Sequence, residues 1–123
     1  KKIETTAAGV TVTGTVTDDK GDVRKIPENA KTSAYALVAA DAGKCITSTS
    51  GGVTVNYNEF SGGSAVTIVN HSGSDMTITQ GSNLTMYNTA DAATGNRTLA
   101  GRGMATIWFQ AQNLCYISGA GLS

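Results

Sequence analysis

The chain has 123 residues, nine Lys/Arg against nine Asp/Glu, 15 glycines, one proline and 40% apolar residues. That length allows one modest core, and sparse charge among frequent apolar residues excludes a disordered, solvating tail. A formal net charge of zero argues against nonspecific binding to nucleic acid, and no apolar run approaches the roughly 20 residues of a membrane-spanning helix.

In residues 9–17, Val10, Val12, Gly14 and Val16 alternate with threonines, the two-residue period of a strand. Residues 18–21 supply turn chemistry, and residues 23–26 resume extended structure until Pro27 ends the pairing. The prediction is a long β-hairpin with one apolar edge. An isolated two-stranded ribbon is marginal in water, so the valine face packs either on the rest of the chain or on further copies of itself. Residues 28–32 are polar and read as a connector, which divides the chain into a β-stalk over 1–32 and a tip domain over 33–123.

Residues 33–38 read as a strand, and residues 39–43 allow a single helical turn cut short by Gly43. Seven short runs then follow at 44–47, 53–56, 65–70, 76–79, 84–87, 104–110 and 114–118, each bounded by Gly, Ser, Asn or Asp. Their number and spacing predict an all-β fold, an antiparallel β-sandwich or jelly-roll-like domain. Val66, Ile68, Met76, Ile78, Leu84, Met86, Ile107 and Phe109 are expected to point inward, and Thr67, Thr77, Thr79 and Thr85 outward. The last two runs, with residues 110–113 between them, read as a closing hairpin.

Two cysteines, Cys45 and Cys115, lack any CxxC spacing and sit in strand-like runs, so free buried thiols are expected rather than a zinc or redox site. The only histidine, His71, lies in a polar turn with Asp75 nearby; one imidazole and one carboxylate make a weak metal site, and none is assigned. Asp41, Glu59, Asp75 and Asp91 are dispersed and read as loop acids rather than a glycosidase pair. The glycines around Arg97 and Arg102 precede no helix and read as turn glycines, not a phosphate cradle. No cofactor is implied, and the chain does not read as an enzyme.

Seven of the nine Lys/Arg lie at or before Lys44, and residues 45–96 carry none. A neutral surface rich in Ser, Thr, Asn and Tyr suits an uncharged partner such as a sugar. Two loops carry suitable handles: Tyr57, Asn58, Glu59 and Phe60 in one, and Tyr87, Asn88, Asp91 and Asn96 in the other. These residues serve carbohydrate recognition, with a ring to stack and amides for hydroxyls, or they cap the ends of the sandwich. Trp108 falls on the strand face opposite Ile107 and Phe109; burial against another chain is preferred over direct sugar stacking.

The end of the chain, Arg102, Gly103, Met104, Ala105 and Thr106 followed by Tyr116, Ile117, Ser118, Gly119, Ala120, Gly121 and Leu122, resembles the carboxy-terminal signature of bacteriophage tail-fibre and tailspike proteins. Residues 35–46 resemble the opening of the fibre-tip domain, and residues 3–16 resemble stalk segments in which three chains wind together. The resemblance implies a homotrimer in the virion, joined to the rest of the phage tail, with Val10, Val12, Val16 and Trp108 as candidate interface residues. It implies attachment to a host cell-surface receptor, a glycan or another molecule. The chain would then be a carboxy-terminal piece of a longer protein. A purely structural trimerisation cap without a ligand, and a polysaccharide-degrading enzyme part, are the alternatives.

Overall fold

Alternation of buried and exposed side chains decides the architecture of residues 3–123, the part of the chain that the computed structural model describes. The first two strands, β1 (Ile3–Thr6) and β2 (Gly9–Val12), pair antiparallel across a turn at Ala7 and Ala8. Their register sets Ile3 opposite Val12 and Thr5 opposite Val10, so one face of the ribbon is apolar and uncovered: Ile3 is 61% exposed and Val10 65%. A second small hairpin joins β3 (Thr17–Asp18) to β4 (Gly21–Asp22), its turn fixed by Asp18 Oδ1 accepting the Lys20 N–H at 2.8 Å. The long hairpin expected over residues 9–26 is therefore two short ones. A two-residue turn brings Ile3–Thr6 against Gly9–Val12 at a lower loop-closure cost than any partner further along the chain. Residues 23–26 form no strand, and Lys25 N–H turns back to the Asp22 carbonyl at 3.0 Å.

The remaining nine strands form one mixed sheet. They are β5 (Glu28–Lys31), β6 (Tyr35–Ala36), β7 (Cys45–Ser48), β8 (Val53–Val55), β9 (Ala65–Asn70), β10 (Met76–Gln80), β11 (Thr85–Asn88), β12 (Arg97–Ala111) and β13 (Leu114–Leu122). The polar segment expected as a connector thus supplies the edge strand β5. A 3-10 turn at Ala39–Asp41 follows β6, in keeping with the single turn expected there.

Pairing corrects the antiparallel expectation. β5, β7 and β9 run parallel to one another, and so do β6, β8 and β10. Each connection from one parallel strand to the next contains a strand of the other set: residues 32–44 link β5 to β7 and include β6, and residues 49–64 link β7 to β9 and include β8. Crossovers of about a dozen residues or more are what parallel pairing requires. The chain thus makes three passes, each traversing both arms of the sheet with a corner between them. β12 then returns antiparallel to both arms, with Met104 opposite Val69 on β9 and Leu99 opposite Met76 on β10. β13 pairs antiparallel with β12 through the two-residue turn Gln112–Asn113, and β11 lies parallel to β13.

The corners are tight. A Cβ on Gly51 would fall 2.1 Å from the Ala34 backbone nitrogen, and one on Gly101 would fall 2.6 Å from the Gly73 carbonyl carbon. Gly101 and Gly103, expected in a turn, lie within β12, where Arg102 adopts φ 64° and the register against β13 shifts. Asn70 holds the same corner from within: it is buried, and its side-chain amide reaches the carbonyls of Ser74 at 2.7 Å and Leu99 at 3.0 Å.

One face of the bent sheet is buried. Val66, Ile68, Met76, Ile78, Leu84, Met86, Ile107 and Phe109 all point into the core, as the alternation predicts. An inward row crosses the sheet as Asn29, Ile46, Ile68 and Ala105. It ends on a polar residue at the β5 edge. There Asp41, 1% exposed, accepts hydrogen bonds from Asn29 Nδ2 at 2.9 Å, the Tyr35 hydroxyl at 2.7 Å and the Val38 N–H at 3.0 Å. This trio closes the rim of the core with groups that satisfy one another.

Burial alone would raise the Asp41 carboxyl, but the Val38 N–H, the Tyr35 hydroxyl and Asn29, helped by Lys44, outweigh it and hold the group below 3.8. A depressed carboxylate contributes stability that is complete above its unfolded value and is lost as pH falls through the folded one. Asp41→Asn should therefore destabilise the protein by about 1–3 kcal/mol at neutral pH. In thermal melts at stepped pH, the gap from wild type should narrow below 3.8.

Both cysteines are free; Cys115 is buried and Cys45 half-buried. Burial pushes the Cys115 thiol up to about 12, and burial followed by the Glu28 carboxylate raises Cys45. A thiol reagent at pH 8 should label neither quickly in the folded protein, Cys115 more slowly than Cys45, and both within the mixing time in denaturant.

Candidate functional site

The outward face of the sheet is defined by the same alternation that builds the core. On β12 it presents Met104, Thr106, Trp108 and Gln110, and on β13 it presents Tyr116 and Ser118. Register then aligns residues far apart in sequence. Trp108 is opposite Ala65 on β9 and Tyr116 on β13, and Tyr116 is opposite Tyr87 on β11. Tyr87, Tyr116 and Trp108 thus form one row across three adjacent strands, with the two tyrosine rings stacked at 5.6 Å between centroids and 27° between planes. Trp108 is 46% exposed and Tyr116 39%. Beside this row lies a shallow groove of about 520 Å3, lined by Tyr87, Asn88, Thr89, Ala92, Leu114 and Tyr116.

The flanking positions are uncharged. One row over, Thr67, Thr106 and Ser118 line up across β9, β12 and β13, with the two threonine hydroxyls 3.3 Å apart. Such a surface combines ring faces with hydroxyl groups and lacks a strong field, so it favours an apolar or uncharged polar partner.

The two candidate loops lie at opposite ends of the β11–β13 pair. Asn58 N–H donates to the Gln112 carbonyl at 3.2 Å, beside the β12–β13 turn, whereas Thr89 N–H donates to the Ile117 carbonyl at 3.0 Å, at the far end of β11. Within the first loop Tyr57 is exposed and Asn58 takes φ 66°. Glu59 Oε2 accepts the Ala39 N–H at 3.3 Å. Phe60 is not available to a receptor: it is 2% exposed and stacks on Phe109 at 4.5 Å between centroids. The hydrophobic effect draws this ring inward because the open end of the sheet otherwise leaves Phe109 uncovered.

In the second loop the polar side chains serve the loop itself. Asn88 is buried and donates to Asp91 Oδ1 at 3.0 Å, which also accepts the Ala93 N–H at 2.9 Å, and Asn96 Oδ1 accepts the Gln80 N–H at 2.9 Å. Tyr87 alone of this set presents its ring to the groove. His71 is exposed, with Nδ1 3.4 Å from Arg102 Nη1, and no cluster of three or more metal-ligating side chains exists among the described residues. Val10, Val12 and Val16 are exposed on the amino-terminal segment.

Comparison with protein-family models, with curated proteins and with solved structures finds no match to this chain.

Two of the three rings of the aromatic row are legible in the sequence. Tyr87 and Trp108 stood out as rings on strands or loops, but Tyr116 did not, because what marks it is its register against both of them. The different burial of the loop aromatics gives a direct check. Phe60→Ala should cost about 3–5 kcal/mol in denaturant unfolding, and Tyr57→Ala less than about 0.5 kcal/mol.

Proposed function

We propose that this chain is a carboxy-terminal segment of a phage tail fibre or tailspike, that it assembles as a homotrimer, and that it attaches the virion to a host-surface glycan. The observation that carries the assembly is the amino-terminal ribbon. Ile3, Val10 and Val12 share one uncovered face of a two-stranded hairpin, and such a ribbon needs packing on a partner to persist in water. Two further copies supply that packing, extended by Val16. Attachment is supported by the aromatic row on the outer face of the sheet, whose neighbours Ala65, Thr106 and Ser118 carry no charge; weak identical sites on three chains gain strength by acting together. The residues that carry the resemblance to fibre carboxy-termini, 102–106 and 116–122, lie on the adjacent strands β12 and β13.

A second reading, a trimerisation cap without a ligand, draws support from the second loop, whose Asn88, Asp91 and Asn96 side chains are engaged in holding the loop. The candidate acids are likewise occupied or isolated, which supports adhesion over polysaccharide cleavage: Asp41 is buried in its hydrogen-bonded trio, and Asp91 braces its loop.

Light scattering coupled to size exclusion tests the assembly. A mass three times the 12.5 kDa protomer is expected, and Val10→Asp with Val12→Asp should shift the mass toward the protomer with the melting of the sheet retained. A wild-type monomer at all concentrations overturns the trimer. Adsorption of the fluorescently labelled assembly to a panel of bacterial strains separates adhesin from cap: retention on a subset of strains supports attachment, and none supports the cap.

A further inference from the structure

We infer that the row of Tyr87, Tyr116 and Trp108 with its adjoining groove is a binding site for the ring of an uncharged pyranose, so that the flat sheet face, not the loop tips, reads the glycan. This rests on the attachment reading above and assigns Trp108 to the ligand instead of to a subunit interface.

Three observations converge on it. The first is the row itself: cross-strand register fixes three rings at one level, which presents a broad apolar surface at low conformational cost because the sheet already holds the backbone. The second is chemical. Among the described residues, hydrogen bonds engage the hydroxyl of Tyr35, but none engages the Tyr87 and Tyr116 hydroxyls or Trp108 Nε1. An aromatic ring with a free polar tip matches a sugar, whose axial C–H face packs on the ring while its equatorial hydroxyls reach the tips. The third is electrostatic. The row, its neighbours Ala65, Thr106 and Ser118 and the groove lining carry no charge, and Asp91, in the adjoining loop, is turned to Asn88 and to the Ala93 N–H. An anionic sugar would find no cation here, and a cationic ligand no free carboxylate.

The groove volume of about 520 Å3 lies within the range of small-molecule sites, about 300–1,000 Å3. It sits at the β11 side of the row, where Thr89 adds a polar group beside the Tyr87 and Leu114 side chains. A ring seated there covers Tyr87 and Tyr116, and the next sugar of the chain extends toward Trp108.

Trp108 is the only tryptophan, so its emission reports on this face alone. The wild-type chain is titrated with neutral linear hexasaccharides of gluco-, manno- and galacto-configured residues, and with a sialylated oligosaccharide as the charged control. The expected result is a saturable shift in emission with at least one neutral probe and none with the charged one. Tyr116→Ala should raise the dissociation constant about 3- to 10-fold, while Tyr116→Phe, which keeps the ring, stays closer to wild type. No shift with any neutral probe, or a Tyr116→Ala variant of native melting temperature that binds as wild type does, overturns the site. So does an emission shift that follows protein concentration together with the mass in solution, which would make this face a contact between copies. Adsorption to cells separates the two levels: wild type and Tyr116→Ala adsorbing equally removes the sugar site and leaves attachment standing, whereas no adsorption by wild type removes attachment.

Discussion

A sheet with one apolar face and no helix to cover it has to cover itself. Every other feature of this chain follows from how that constraint is met. The sheet bends between two arms, and β12 crosses the bend unbroken, pairing with β9 on one arm and β10 on the other. The bend is possible because Gly101 and Gly103 flank an Arg102 in the left-handed region, and because Asn70 satisfies the carbonyls that the bend exposes. With the inner face closed, the outer face is free to carry function.

The rim of the core shows how a small sheet ends without a further layer. In the row from Ala105 through Ile68 and Ile46, the position on β5 is taken by Asn29. Its amide is bound to Tyr35 and Asp41, so a polar group ends the core without an unsatisfied atom. Lys31 reinforces the edge from above, its Nζ 4.3 Å from the centre of the Tyr35 ring. The amino-terminal hairpins have no such closure, although Lys20 Nζ ties the second of them to the body through the Ala40 carbonyl at 2.7 Å.

How much of this is legible in the sequence depends on the range of the interaction. Side-chain alternation is local, so the strands from Cys45 onward and their inward residues, Val66 to Phe109, can be read directly. Pairing partners are not local. Nothing in the composition of Cys45–Ser48 or Ala65–Asn70 distinguishes parallel from antiparallel neighbours, and the number and spacing of the runs pointed to an antiparallel sandwich. β5 was hidden because its inward residue is Asn29, whose burial depends on partners 6 and 12 positions away. Phe60 was hidden for the opposite reason: it follows Tyr57, Asn58 and Glu59 in a polar loop, and only its contact with Phe109 reveals it as core. The aromatic row combines both cases, since each ring's outward direction is local while its alignment with the other two is not.

The three parallel passes also set an order of assembly. Each pass needs only the one before it, so β5 with β6, β7 with β8, and β9 with β10 can add in the direction of synthesis, at modest loop-closure cost each time. No pass is sealed on its growing edge until β12 arrives, and β12 must meet both arms at once. Until then the edge of β9 and β10 displays unpaired backbone groups beside apolar side chains, the state in which strands from different chains add to one another. In the homotrimer proposed above, the return of the β12–β13 hairpin would therefore be the step that separates orderly association from aggregation.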